Sequence, residues 1–511
     1  MTGTLGSEPL PERRLHGWSW LFVLLQHLKP FIVPLIVVLL FDISGDPNER
    51  WNYIIVVAFM AVLITQSILR YFTFRYRIGD DGLTIRSGLL HRTRREIPFA
   101  RIHNVNIRQS LLHRLFKVAE VQLESAGGQK AEAEMRVLSL DDALALENLI
   151  RHRTMHTPSK GAAESEETPV PAPVQTANRS ILLYLPIPEI IRLGLISNRG
   201  TIVAAAALGL IWQIMPDAIL TRIIENGMHD IAGHAGLHRP SAATIAITAI
   251  LSIIALILLM RLLSVAFALT QYFGFTLSEE RQRLTVDHGL LARIRSSAPR
   301  RRIQAWQMQE GLMHRLFRRR SLHVTIAVSQ ADESRAFNTL APVATRTDCD
   351  RLIRHLLPQT HWPPRQWEKL PGIAWLRLFF RHVLRCVPIA ALSIGFFGTP
   401  GAWVLVWLPL AAPFTYLHVR RLAYSVDDRL VAIRNGYWLR HWRFAEVDKI
   451  QALRLRRSPL DRCFGTSSLI FDTAGGNALK PPLQIRYLPQ ADAEALYDRL
   501  GRILSKRQMH W

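Results

Sequence analysis

The chain has 511 residues, a formal net charge of +23 and 49% hydrophobic residues. A soluble nucleic-acid-binding protein would share the charge but not the hydrophobic content, so the combination favours a membrane protein with a cationic cytoplasmic side. The three cysteines, Cys349, Cys386 and Cys463, are far apart and odd in number, which predicts neither a disulfide framework nor a zinc site.

The N-terminal region predicts a membrane anchor that is retained. Its first 16 residues are polar, and no cleavage site of a signal peptide follows the apolar stretch behind them. Residues 18–28 predict an interfacial helix, and the apolar stretches 30–43 and 53–72 predict a first pair of transmembrane helices. A span needs about 20 apolar residues, so 53–72 is long enough and 30–43 is short.

A β-rich domain is predicted next, over residues 74–153. Alternating residues on either side of the turn Asp80-Asp81-Gly82 predict a β-hairpin. Further alternating stretches predict three or more strands, and Asp141 is a good N-cap for a final helix. Antiparallel strands closed by one C-terminal helix are typical of an α+β sandwich or a partly open barrel.

A block within this domain, residues 88–116, occurs three times without a gap. It reads Gly-Leu-Leu-x-Arg, then Arg-Ile, then Leu-His-Arg-Leu-Phe, beginning at Gly88. The block recurs from Gly289 and, in a weaker form, from Gly436, where Asp461 replaces the histidine and Cys463 the second leucine. The spacing exceeds that of a solenoid repeat, so the sequence predicts three copies of a whole domain.

These motifs, together with the C-terminal helix, resemble the bacterial pleckstrin-homology-like (PH-like) domain. Repeated behind paired hydrophobic segments, they resemble the YdbT-type membrane proteins over nearly the whole chain. The resemblance implies a PH-like fold on the cytoplasmic face of a membrane and implies no enzymatic activity. The expected fold is therefore three PH-like β-sandwich or barrel domains, each with a C-terminal helix and each preceded by a pair of transmembrane helices.

The remaining boundaries repeat the same order of segments. A Pro-, Ala-, Ser- and Glu-rich segment predicts a disordered linker after domain 1. Residues 202–215 and 242–267 predict the second transmembrane pair, and 383–397 and 403–417 predict the third. The predicted segments are 1–73 (interfacial helix and pair 1), 74–153 (domain 1), 154–181 (linker), 182–270 (interfacial segment and pair 2), 271–358 (domain 2), 359–419 (interfacial helix and pair 3) and 420–505 (domain 3).

The positive residues predict the orientation. The three inter-helix loops hold only Arg50, Arg222 and Arg239 of the 63 lysines and arginines. By the positive-inside rule, all three domains and both termini are expected to be cytoplasmic, in a multi-pass protein of the bacterial inner membrane.

Basic residues that recur in the repeats are the candidate contacts with anionic headgroups or another ligand. Each Lys or Arg close to an anionic surface contributes about 1 kcal/mol. The alternative is a solvated face with internal salt bridges. These candidates are Arg92, Arg293 and Arg440, and Arg101, Arg302 and Lys449. A third recurring set, Arg114, Arg315 and Arg462, favours structural pairing.

Other features give weaker functional signals. Arg377, Arg381 and Arg385 share one face of a predicted helix, which we expect to be directed at headgroups. His229, Asp230, His234 and His238 lie in an outer loop, but their spacing matches no metal motif. Aromatic and basic residues alternate at 438–443, where an interfacial belt fits the flanking helices better than nucleic-acid stacking.

The expected function is binding and assembly at the inner membrane, in envelope integrity or resistance to envelope stress. The expected partners are anionic membrane lipids and another membrane protein or a second copy, without nucleic acid, cofactor or metal. A transporter or channel component is the first alternative, although the spans hold few ionisable residues and the repeats run parallel. A membrane-embedded enzyme is the second, although no catalytic signature or acid/base pair occurs within a span.

Overall fold

The computed structural model describes residues 13–14, 17–28, 49–79, 82–88, 92–99, 102–125, 133–153, 180–200, 202, 205–206, 209, 242–326, 338–473 and 482–506. Several predicted features fall outside these residues. They are the span 30–43, nearly all of the span 202–215 and of the linker 154–181, Arg101, and the loop residues His229, Asp230, His234 and His238.

Domain 1 consists of two antiparallel sheets and a closing helix. Its core joins side chains of both sheets and of the last helix, including Leu83, Ile107, Val121 and Leu146. The strands are β1 (Arg13–Arg14), β2 (Arg75–Ile78), β3 (Gly82–Ser87), β4 (Thr93–Pro98), β5 (Ile102–Gln109), β6 (Val118–Ser125) and β7 (Ala133–Ser139). The helices are α1 (Ser19–Leu28), α2 (Glu49–Thr73), α3 (Leu111–Leu115) and α4 (Leu140–Arg153).

Domain 2 repeats this order of elements. The strands are β8 (Ser180–Tyr184), β9 (Thr276–Glu280), β10 (Arg283–His288), β11 (Arg293–Pro299), β12 (Ile303–Glu310), β13 (Arg319–Ile326) and β14 (Thr339–Thr345). The helices are α5 (Ile187–Ile196), α6 (Ala242–Tyr272), α7 (Leu312–Leu316) and α8 (Arg346–Leu356).

Domain 3 repeats it again. The strands are β15 (Glu368–Lys369), β16 (Ala423–Val426), β17 (Leu430–Asn435), β18 (Arg440–Glu446), β19 (Ile450–Arg456), β20 (Thr466–Thr473) and β21 (Leu483–Pro489). The helices are α9 (Ile373–Phe397), a 3-10 helix (Thr399–Val406), α10 (Trp407–Arg421), α11 (Pro459–Cys463) and α12 (Gln490–Ser505).

The long helices do not simply precede each domain, as the sequence predicted. A short strand comes first in each copy and pairs with the strand that follows the helices: β1 with β2, β8 with β9, and β15 with β16. The helices are therefore insertions between the first and second strands of each domain. This arrangement ties both ends of the inserted helices to one sheet.

Three helices among the described residues are long and apolar enough to cross a membrane. They are Ala246–Tyr272, Ile373–Phe397 and Thr399–Arg421. Both members of the predicted third pair are thus present as candidate spans, and one member of the second. The predicted span 53–72 lies in α2, which is not among the three, so the pairing of spans before domains 1 and 2 is not confirmed.

The sheets of neighbouring domains are continuous. Strand β5 of domain 1 pairs with β11 of domain 2, which gives a seven-stranded sheet in the order 7-6-5-11-10-9-8. Strand β12 of domain 2 pairs with β18 of domain 3 and gives a second seven-stranded sheet in the order 14-13-12-18-17-16-15. The core of domain 2 continues across this second junction, where Trp306 stacks on Phe444 at 6.0 Å.

A glycine at the same position of three repeats predicts a tight turn or a residue with positive φ. Gly88, Gly289 and Gly436 have φ values of 101°, 112° and 83°. A Cβ at Gly289 or Gly436 would lie 2.0 or 1.8 Å from the carbonyl oxygen of the residue three positions on. The prediction of positive φ is confirmed, and only glycine fits this turn without strain.

Candidate functional site

The structure places the recurring basic residues that it describes in different surroundings. Arg92 and Arg293 are exposed. Arg302 lies in the turn between the two sheets of domain 2 and is partly buried, which, with Arg301 and Arg283 nearby, lowers its pKa to about 10. Lys449 occupies the same turn of domain 3 and donates a hydrogen bond to the carbonyl of Arg301 in domain 2, at 2.7 Å.

Arg440 belongs to an ion cluster at the junction of domains 2 and 3. The carboxylate of Glu310, on β12, is fully buried. It forms ion pairs with Arg320 and Arg346 of its own domain, at 3.2 and 2.7 Å. Arg440 of domain 3 lies 3.6 Å from the same carboxylate. This arginine therefore helps to hold two domains together.

Arg114, in the third recurring set, also contacts a neighbouring domain. Its guanidinium donates a hydrogen bond to the carbonyl of Leu290 in domain 2, at 3.1 Å. This contact agrees with the structural pairing that the sequence favoured for this position.

The prediction that Arg377 on α9 is directed at headgroups is wrong. Its guanidinium is buried and pairs with the buried carboxylate of Asp461 on α11, at 2.8 Å. Asp461 also caps its helix by accepting hydrogen bonds from Ser458. Arg377 thus fastens α9 to domain 3. Only Arg385, one turn beyond Arg381, is exposed on that face.

A cation-lined cavity of about 390 Å³ lies where α9 and α10 meet domain 3. Helix α9, helix α10, strands β16 to β18 and strand β21 all contribute to its wall. Its cationic or potentially cationic residues are Arg381, His418, Arg434, His441, Arg443 and Arg486. No aspartate or glutamate is among the described residues that line it.

Part of the polar lining of this cavity is not satisfied by the protein itself. Arg381 Nε and His441 Nδ1 are buried without a hydrogen-bond partner among the described residues. Burial and the proximity of Arg443 lower the pKa of His441, and burial and the proximity of Arg486 lower the pKa of Arg443. Mutual repulsion between cations, without a carboxylate among them, is the electrostatic character of an anion site.

A second, apolar cavity of about 420 Å³ adjoins the first and shares Leu378, Arg381 and His418 with it. It lies between the two helices and the turn that joins β17 to β18. Its aromatic wall is formed by Trp407, Phe414, Tyr437 and Trp438. Trp407, Phe414 and Trp438 are about half exposed, so this cavity opens along the hydrophobic hairpin.

Similarity to known proteins agrees with this architecture. The family model of the bacterial PH domain matches three segments of the chain, residues 24–154, 235–360 and 373–503. The matches cover most of the chain, and each contains a long helix, the strands that follow it and the closing helix of one copy, without the short first strand. The chain belongs to the bacterial PH domain family.

A curated relative matches most of the chain. The UPF0699 transmembrane protein YdbT of Bacillus subtilis (strain 168) is 25% identical over 442 residues, which is 83% of this chain and 84% of the relative. No solved structure matches the chain. The chain is accordingly a membrane protein with three bacterial PH domains.

Sequence reasoning identified the bacterial PH domains but not the cavity of the third. His441 and Arg443 lie in the aromatic and basic stretch 438–443, which the sequence predicted to face headgroups. Arg434 and Arg486 lie outside the repeated block of residues 436–464 and gave no signal. Within the described residues, no group of three or more His, Cys, Asp or Glu side chains could hold a metal ion.

Proposed function

We propose that this protein is a non-enzymatic binding and assembly module of the membrane, whose third bacterial PH domain captures an anionic phospholipid. The cation-lined cavity carries this proposal. Arginine guanidinium groups suit phosphate because their planar N–H groups donate two parallel hydrogen bonds to one anion. A phosphate in the cavity would give partners to Arg381 and His441 and reduce the repulsion between Arg443 and Arg486.

The adjoining cavity favours a lipid over free phosphate. An anionic phospholipid has a phosphate and an acyl chain joined within one molecule, and the two cavities meet at Leu378, Arg381 and His418. With the phosphate between the arginines, an acyl chain can lie against Phe414 and Trp438. Burial of apolar surface contributes roughly 25 cal/mol per Å², which free phosphate lacks.

The length of the hairpin supports a position of the cavity at headgroup depth. Leu378 and Val419 pack with Tyr487 of domain 3, so the first turns of α9 lie beside the domain. Beyond them, residues 384–397 are 14 in number and extend about 21 Å, compared with a hydrocarbon core of about 30 Å. A hairpin this short holds domain 3 close against the leaflet.

The cytoplasmic leaflet is the proposed location of all three domains, because the basic residues are concentrated on the domain side of the predicted spans. That leaflet carries anionic lipids and a negative surface potential. A lipid-binding, multi-domain membrane protein suits a role in envelope integrity or stress resistance, with a further membrane protein as partner.

The test compares the unmodified full-length protein with two variants, each in nanodiscs that contain neutral lipid and a small fraction of phosphatidylglycerol. Native mass spectrometry counts the anionic lipids retained per protein. Arg443→Gln/Arg486→Gln should weaken retention about 30-fold, because two charges at about 1 kcal/mol each are lost. The matched control is Arg499→Gln/Arg502→Gln, which removes the same charge from α12, outside the cavity, and should retain lipid like the unmodified protein.

Two further arms separate lipid from free phosphate and test the histidine. Trp438→Ala should weaken retention of the lipid, whereas excess inorganic phosphate should compete only weakly. Burial and Arg443 lower the pKa of His441, and a bound anion would raise it, so binding takes up a proton and strengthens as the pH falls towards the lowered pKa. Equal retention by the cavity variant and its control would refute the proposal.

A further inference from the structure

The two junctions between domains are the same interface used twice. In each, the fourth strand of one domain's first sheet pairs with the first strand of the preceding domain's second sheet. Arg293 lies opposite Gln109 at the first junction, and Arg440 lies opposite Glu310 at the second. These residues occupy equivalent positions in the repeat, so the register of pairing is identical. An interface repeated in register is a defined docking mode.

An arginine of the incoming strand meets a buried carboxylate of the preceding domain at both junctions. Arg295 of β11 lies 3.5 Å from Glu147, on the C-terminal helix of domain 1. Arg440 of β18 lies 3.6 Å from Glu310, on β12 of domain 2. Both carboxylates are nearly inaccessible to solvent, so the pairs are shielded from screening by salt. The docking mode therefore combines strand pairing with a buried ion pair.

Strand β4 of domain 1 offers the same edge with both arginines in place. Arg92 stands at the repeat position of Arg440, and Arg94 at that of Arg295. Within the described residues, β4 pairs only with β3 and forms the outer edge of its sheet. Thr93, Arg94, Arg95 and Glu96 are exposed, and Arg94 forms an ion pair with Glu96 of its own strand. An unpaired edge strand is a template for another strand.

Strand β19 is the edge of domain 3 that is equivalent to β5 and β12, and it does not complement β4. The residue of domain 3 that is equivalent to Glu310 is Arg457, which directly follows β19. If β4 of a second copy paired with β19 in the register of the two junctions, Arg457 would lie opposite Arg92. Arg454 would likewise lie opposite Arg95. Like charges directly opposite each other in a sheet are unfavourable. Domain 3 also has Tyr497 at the helix position of Glu147, so neither carboxylate of the junctions is present. A second copy of this chain is thus a poor occupant of β4.

We propose that β4 docks a PH-like domain of another polypeptide, which supplies the first strand of its second sheet and a carboxylate at the position of Glu310. The partner pairs with β4 in the register of the two internal junctions and places its carboxylate against Arg92. Charge complementarity and continuity with the established junctions select this occupant. The proposal is independent of lipid binding by domain 3.

The probe for this edge is the chain's own β19 with the carboxylate restored. Arg457 now bonds to Ser467 and Glu494, so every variant also carries Glu494→Gln to avoid repulsion between two glutamates. In that background, Arg457→Glu should convert the full-length protein in detergent into head-to-tail oligomers. Sedimentation velocity should show at least a tenfold tighter self-association than in the background alone. Adding Arg92→Glu places two glutamates opposite each other and should restore the original state.

Each outcome decides the proposal. Association of Arg457→Glu that disappears in Arg92→Glu/Arg457→Glu supports β4 as an acceptor of an acidic PH-like strand. Association that persists in the double variant lies elsewhere on the molecule and overturns it. No association of Arg457→Glu, with thermal unfolding unchanged from the background, overturns it as well. Association of the background protein that Arg92→Glu alters would make a second copy the occupant and also overturn it.

Discussion

At the scale of single residues, backbone geometry was predictable and long-range pairing was not. A glycine at one position of three repeats indicates a local requirement, and the positive φ at Gly88, Gly289 and Gly436 fulfils it. Arg377 and Asp461 are 84 positions apart, and nothing in the helical periodicity around Arg377 indicates a partner at that distance. Periodicity assigns a residue to a face, but it does not say what covers the face.

The strain at the glycine turn can be measured by substitution. Gly436→Ala should lower the free energy of unfolding of domain 3 by about 1–3 kcal/mol, because φ is 83° and the new Cβ would meet the Leu439 carbonyl oxygen. Gly501→Ala is the matched control, since that glycine lies in α12 with open space around it, and it should stabilise by about 0.5–1 kcal/mol. Denaturant unfolding in detergent measures both. Equal midpoints for the two variants would contradict the strained turn.

At the scale of elements, the repeat predicted the domains but not the strand that begins each one. Strand β15 has two residues, and β8 lies within the predicted linker and interfacial segment. Neither is long enough to show clear alternation, and each pairs with a strand beyond the inserted helices. Their pairing depends on strands that are distant in the sequence, so the local sequence carries little information about it.

Native cysteines allow the proposed orientation of the third domain to be tested. Cys463, on α11, is exposed, whereas Cys349 and Cys386 are buried, and burial raises the pKa of Cys349 to about 12. Only Cys463 should therefore react readily, since the thiolate is the nucleophile. A membrane-impermeant maleimide should label the protein only after the cells are permeabilised, and Cys463→Ser should remove the signal. Labelling in intact cells would place domain 3 on the outer side.

At the scale of the whole molecule, the three domains form one array through continuous sheets. The sequence showed three copies but not their edge-to-edge union, because strand register between domains depends on which edges are left open after each domain has folded. Gln109, Glu310 and Arg457 occupy one repeat position with three different charges. Gln109 and Glu310 lie at the internal junctions. Arg457 follows β19, an edge strand that pairs with no strand of another domain among the described residues.

The Glu310 cluster should make domains 2 and 3 unfold together. Its fully buried carboxylate balances Arg320, Arg346 and Arg440, so Glu310→Gln leaves two partly buried guanidinium groups and one exposed one without their counter-charge. Breaking a buried pair from one side costs about 3–5 kcal/mol. Glu494→Gln removes an exposed carboxylate as the control and should cost less than about 1 kcal/mol.

Calorimetry shows whether the two domains of the Glu310→Gln variant still unfold in one transition or unfold separately. The hydrophobic core of domain 2 includes Trp442 and Phe444 of domain 3, so the unmodified pair is expected to melt in one cooperative transition. In Glu310→Gln that transition should move to lower temperature and divide into two, because the ion cluster connects the domains across β12 and β18. A single transition that shifts no further than in Glu494→Gln would mean that strand pairing and the shared core alone unite the domains.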